Sequence, residues 1–142
     1  MPKTLLVSDG KPLPFAYRWL VEQGLTEFGP WCFIEEQADS DTFRAEFVRE
    51  VAAPNPSAVK DFQPFARQAA CDDFAGFVIR GNHISKEVLY VHLTFAGKAE
   101  APGFPGMTLY EDVWEWLADC VVEEMRVVAD RLEEYQSRQS RG

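Results

Sequence analysis

The sequence predicts an α+β fold: one domain with a mainly antiparallel or mixed sheet, helices packed on one side of it, and a long C-terminal helix. Three observations predict it. Phe74 to Ile79 is an unbroken apolar and aromatic run, as in a largely buried strand. Val88 to Phe95 alternates, with Leu89, Val91, Leu93 and Phe95 on one face and Tyr90, His92 and Thr94 on the other. After Thr108, apolar residues recur at helical spacing as far as Tyr135. Helices at the start, a hairpin in the middle and a closing helix give the α+β order.

The elements follow in chain order. Phe15 to Gln23 reads as a short helix, with Pro14 suited to its first turn and Gly24 to its stop; Phe15, Trp19 and Leu20 share one face. After the Gly29-Pro30 loop, Trp31 to Ile34 suits a short strand. Asp39, Ser40 and Asp41 are the expected caps of a helix over Thr42 to Val51, with Phe43, Phe47, Val48 and Val51 on its stripe. Pro54 and Pro56 end it. Between the two central strands, polar Arg80 to Glu87 with its Gly81-Asn82 pair reads as a hairpin loop. Gly97 to Gly106 is a Gly/Pro-rich loop. Thr108 and Glu111 form a capping-box pattern for a helix from about Tyr110 to Gln136, and residues 137–142 read as a frayed tail.

A chain of 142 residues fits one domain, and its 46% hydrophobic content excludes intrinsic disorder. The net charge of −9 speaks against a basic nucleic-acid-binding face. No stretch approaches the apolar length of a membrane span, and Met1 to Gly10 lacks the apolar core of a signal peptide. Cys32, Cys71 and Cys120 are odd in number and widely spaced; they suit reduced thiols in a cytoplasmic protein, with Cys32 and Cys120 in apolar patterns. From 110 to 136 nine acidic residues face Arg126 and Arg131, a net of −7. Such a helix is either a solvated face or an electrostatic docking surface for a basic partner.

Patterns for chemistry are sparse. The phosphate-binding loop, the zinc-protease pair, the nucleophile elbow and the dinucleotide fingerprint are all absent from the sequence, so no catalytic, cofactor or metal residues are assigned. Asp72-Asp73 stands at a strand entrance, where carboxylates cap turn amides; surface recognition or a metal is the alternative. The Cys71 thiol beside these acids is a poor nucleophile. His92 reads as a partly buried, hydrogen-bonded histidine, and a site built from Tyr90, His92 and Thr94 with Asp72 or Asp73 nearby is the enzymatic alternative. His83 falls in the expected loop. Trp114 and Trp116, two apart on a helix, cannot share a face, so one lies nearer the surface as a rim contact or a partner anchor.

The runs Phe62-Gln63-Pro64-Phe65-Ala66-Arg67 and Asp72-Asp73-Phe74-Ala75-Gly76-Phe77, with Leu109 to Leu117, resemble the SUKH superfamily. That superfamily includes the yeast cell-wall assembly regulator and many bacterial immunity proteins. The resemblance covers Phe62 to Leu117; the front half is shorter than the family pattern, as in a compact or divergent member. It implies a single α+β domain that binds protein and is not an enzyme. Its leading expectation is an immunity-like inhibitor of a co-encoded toxin, such as a basic nuclease; a regulatory domain of the same family is the alternative. The expected partner-binding residues are Asp72, Asp73, Glu115, Trp116, Glu123, Glu124 and Glu134.

Overall fold

The computed structural model describes residues 5–52, 59–69, 73–92 and 107–141. Cys71, Asp72, Thr94, Pro54, Pro56, the end of the second central strand and the Gly97 to Gly106 loop lie outside the described residues. The elements are β1 (Val7–Ser8), β2 (Lys11–Pro12), α1 (Phe15–Glu22), β3 (Glu27–Phe28), β4 (Trp31–Phe33), α2 (Gln37–Glu46), β5 (Phe62–Gln68), β6 (Asp73–Arg80), β7 (His83–His92), β8 (Met107–Tyr110), α3 (Val113–Trp116) and α4 (Val122–Arg141). π-helical segments follow α2 (Phe47–Ala52) and join α3 to α4 (Leu117–Val121).

The α+β class is as expected. Strands β3 to β8 form one six-stranded sheet in simple sequential order, every pair antiparallel; β1 and β2 form a separate hairpin. β6 is buried at every position from Asp73 to Ile79. Alternate residues of a strand point to opposite faces, so both faces of β6 need cover. Tyr17 of α1 meets Phe77 on one face, where Phe65 and Trp116 also pack. Phe43 of α2 meets Phe74 on the other, and Phe47 meets Phe62. The helices therefore divide between the faces rather than gathering on one.

Other expectations change for local reasons. On α1 the buried side chains are Tyr17 and Leu20, while Phe15 and Trp19 face outward. α2 begins at Gln37, so Asp39, Ser40 and Asp41 lie inside it rather than capping it. Buried Ser40 donates through Oγ to the Pro64 carbonyl, tying α2 to β5. β5 contains Pro64, which a strand accommodates here at a bulge between Pro64 and Ala66. The central hairpin turns on Gly81-Asn82 alone, with Gly81 at φ +63°, and β7 starts at His83.

Thr108 is taken by β8, where it pairs with Tyr90. The cap falls four residues later. Asp112 accepts from the Glu115 amide at 2.9 Å, and Glu115 accepts from the Glu111 amide at 3.2 Å. Val113, Cys120 and Val121 are buried, but Val128, Leu132 and Tyr135 are exposed, because the helix leaves the domain. α4 stays helical through Arg141, past the expected start of a frayed tail. No helix among the described residues is long and apolar enough to cross a membrane.

Candidate functional site

Polar side chains collect in several places among the described residues, and two of these bear on function. The first is at one end of the β6–β7 pair. Asp73 opens β6 and pairs across strands with His92; Tyr90, two residues before His92, shares its face. Strand alternation thus aims all three at one point. The buried Asp73 carboxylate accepts from the Tyr90 hydroxyl and contacts His92 Nδ1, so the imidazole turns that nitrogen to Asp73. His92 remains 46% exposed beside a 7% exposed Asp73 side chain.

This cluster continues inward through Trp31, whose ring centroid lies 5.8 Å from that of Tyr90. Trp31 Nε1 donates to Glu124 Oε2 at 2.6 Å, and Gln68 Nε2 donates to the same oxygen. Cys120 Sγ lies 3.8 Å from Glu124 Oε1. Burial, then the Asp73 hydrogen bond, pushes the Tyr90 hydroxyl far above its ordinary range. Burial pushes Tyr110 up to about 12, and burial with the Glu124 charge pushes Cys120 up to about 12. Tyr90, Tyr110 and Cys120 therefore stay protonated at neutral pH around two carboxylates. The cluster can hold and orient protons, but Cys120 supplies no thiolate nucleophile.

The second place is a concavity of about 300 Å³ where the β3–β4 hairpin meets the start of α2. Its lining carries Glu27, Glu35, Glu36 and Asp39 against one base, Arg67. All five are exposed, over a floor that includes buried Phe33 and Ile34. Cys32, expected in the core, is half-buried and lines it. The concavity lies at one end of the sheet, where β3 is the edge strand. Elsewhere, exposed Phe15, Trp19 and Trp114 mark an aromatic surface on α1 and α3, with the two indole rings 6.2 Å apart.

The expected partner-binding residues separate in space and in role. Asp73 is buried and bonded to Tyr90, and Asp72 lies outside the described residues. Trp116 is core rather than surface, packed edge-on against Trp31 and Phe65; Trp114 is the exposed member of the pair. Glu115 caps α3, and Glu124 faces Trp31 and Gln68 rather than solvent. Glu123 and Glu134 are exposed but pair with Arg126 and Arg138 of their own helix. α4 itself carries five acids and four arginines, a net of −1, so most of the segment's excess negative charge lies before it, on Glu111, Asp112, Glu115 and Asp119.

Sequence reasoning missed the acidic concavity. Its signal is the close run Glu35, Glu36 and Asp39 directly after apolar Ile34, where Asp39 reads as a helix cap. Glu27 and Arg67 join it only through strand pairing: Glu27 opposes Cys32, and Cys32 opposes Arg67. Comparison of the chain with known protein families, with curated proteins and with solved structures returns no match.

Proposed function

We propose that this chain is a non-enzymatic protein-binding module, an immunity-like inhibitor that covers a basic surface of a co-encoded, nuclease-type toxin. The observation that carries this reading is the concavity with four exposed carboxylates and one arginine at the end of the sheet. Its volume, at the small end of ligand sites, suits one or two basic side chains of a larger partner. The chain's net charge of −9 adds a long-range field of the same sign. Such a surface speeds association and selects partners more than it sets the dissociation rate. Exposed Phe15, Trp19 and Trp114 offer aromatic anchor area of the kind that dominates interface energetics. The resemblance of Phe62 to Leu117 to the SUKH superfamily supports the same class.

The test is co-expression with the toxin domain encoded beside this chain. Growth is protected by the wild type and lost with Glu27→Lys/Glu36→Lys/Asp39→Lys, which adds no buried charge. Full protection by the triple variant, or none by the wild type, refutes the reading.

A second reading has its own observation: Tyr90 and His92 converge on buried Asp73. Under it the chain is an enzyme or small-molecule binder. A metabolite-induced rise in melting temperature that His92→Ala abolishes, with stability kept, would favour it.

A further inference from the structure

From Met125 to residue 140 every residue of α4 is exposed. A 20-residue helix is about 30 Å long, so α4 projects well clear of the domain. Helices of this length draw most of their stability from burying an apolar face, and beyond its base this one buries none. Yet it has such a face. Val121, Met125, Val128, Leu132 and Tyr135 recur at alternating spacings of four and three, the seam of a coiled coil. Val121 is buried and Met125 lies against the Gly29 turn, its Cγ 2.9 Å from where a Gly29 Cβ would stand. The seam therefore starts in the domain and runs out into solvent, where Val128, Leu132 and Tyr135 are 49%, 56% and 58% exposed.

We infer that this face pairs with α4 of a second copy of the chain. Charge selects that occupant. The body is strongly acidic, but α4 is nearly balanced at −1, so it gives a basic partner little hold and lets two copies approach. The charges on the helix also pair within it, Arg126 with Glu123 and Arg138 with Glu134. The positions flanking the seam are Val122, Glu124, Ala129, Arg131, Gln136 and Arg138, which form no run of like charge along its length. The seam is short, its exposed apolar members being Val128, Leu132 and Tyr135, so a weak, micromolar and reversible dimer is expected.

The experiment is sedimentation velocity on the full chain from about 1 to about 300 μM, a range that brackets micromolar dissociation. The wild type shifts from monomer to dimer across that range. Leu132→Lys, on an exposed helix position that lysine tolerates, weakens dimerisation at least tenfold with unchanged circular dichroism. Leu132→Met keeps the dimer. A wild type that stays monomeric throughout overturns the inference, as does a Leu132→Lys variant that dimerises as tightly as the wild type. The concavity plays no part in this assay, so the two proposals stand or fall separately.

Discussion

Replacing Gly76 by alanine is the most direct test of how the sheet is packed. Gly76 sits mid-β6, paired with Pro64 on one side and Leu89 on the other. A Cβ built there would stand 2.5 Å from Phe62 Cδ2 and 2.7 Å from the Gln63 carbonyl oxygen. Carbon contacts favour 3.5–4.0 Å, so the new methyl is about 1 Å too close on two sides. The phenyl ring has little room to retreat, because the tilted ring of Phe47 packs against it with centroids 4.5 Å apart. The carbonyl belongs to a paired strand and can yield only by moving backbone. Overpacking of this kind costs about 1–3 kcal/mol, and the backbone contact puts Gly76→Ala at the upper end. Lower entropy of the unfolded chain returns about 0.4–1 kcal/mol, leaving a net loss of about 2 kcal/mol. For a chain of this length that lowers Tm by roughly 6–8 °C. Thermal melts and urea titrations followed by circular dichroism measure it. In a double-mutant cycle with Phe62→Leu, which removes part of the clash, the two costs are sub-additive. A Tm within about 2 °C of wild type, or strictly additive costs, would refute the packing described.

Three further outcomes are expected. Arg44 bonds Asp9, Asp61 and Gln63, and its hydrogen bond holds the Asp9 carboxyl below the ordinary carboxylate range; Arg80 does the same for Glu87. The unfolded chain then binds protons at higher pH than the folded one, so stability is complete above about pH 5 and declines below about pH 4. Melts across that range show the decline, and Arg44→Met shallows it; an acid limb identical in the variant contradicts the pairing. Tyr90→Phe removes a donor from the buried Asp73 carboxylate and costs about 1–3 kcal/mol in urea titrations, whereas an unchanged midpoint would dissolve the Asp73 cluster. Cys120, pushed up to about 12 and buried, resists iodoacetamide at pH 8 in the folded protein. Mass-spectrometric mapping that finds it alkylated as fast as in urea contradicts that environment.

The fold class was legible where one local signal had no competitor. The apolar run Phe74 to Ile79 marks β6, and Pro14 with Gly24 brackets α1. The same run, apolar at every position, also implies cover on both faces, which the expectation of one-sided helices overlooked. β5 was hidden because Pro64 argues against a strand, and only its bulge and the Ser40 bond, 24 residues away in sequence, make room for it. The start of the last helix was ambiguous because Thr108-x-x-Glu111 and Asp112-x-x-Glu115 are both capping patterns. Pairing of Thr108 with Tyr90 decides between them, and that pairing is not local. The candidate site divides in the same way. Alternation along β7 places Tyr90 and His92 together, and Asp73 follows from a strand entrance. Glu124 meets Trp31 across 93 positions, so its loss as a surface charge is invisible in a count of acids along a helix.

The central claim, that the acidic concavity docks a basic partner, is tested most directly by association kinetics. The purified chain and its proposed partner, a basic toxin domain sought among the neighbouring genes, are mixed at about 0.05 M and about 0.5 M salt, on either side of the ~10 Å screening length at 0.1 M. The wild-type on-rate is predicted to fall at least tenfold between the two, and Glu27→Lys/Glu36→Lys/Asp39→Lys to be as slow at low salt as the wild type is at high salt. Equal on-rates for the two proteins, with the same dependence on salt, would contradict it.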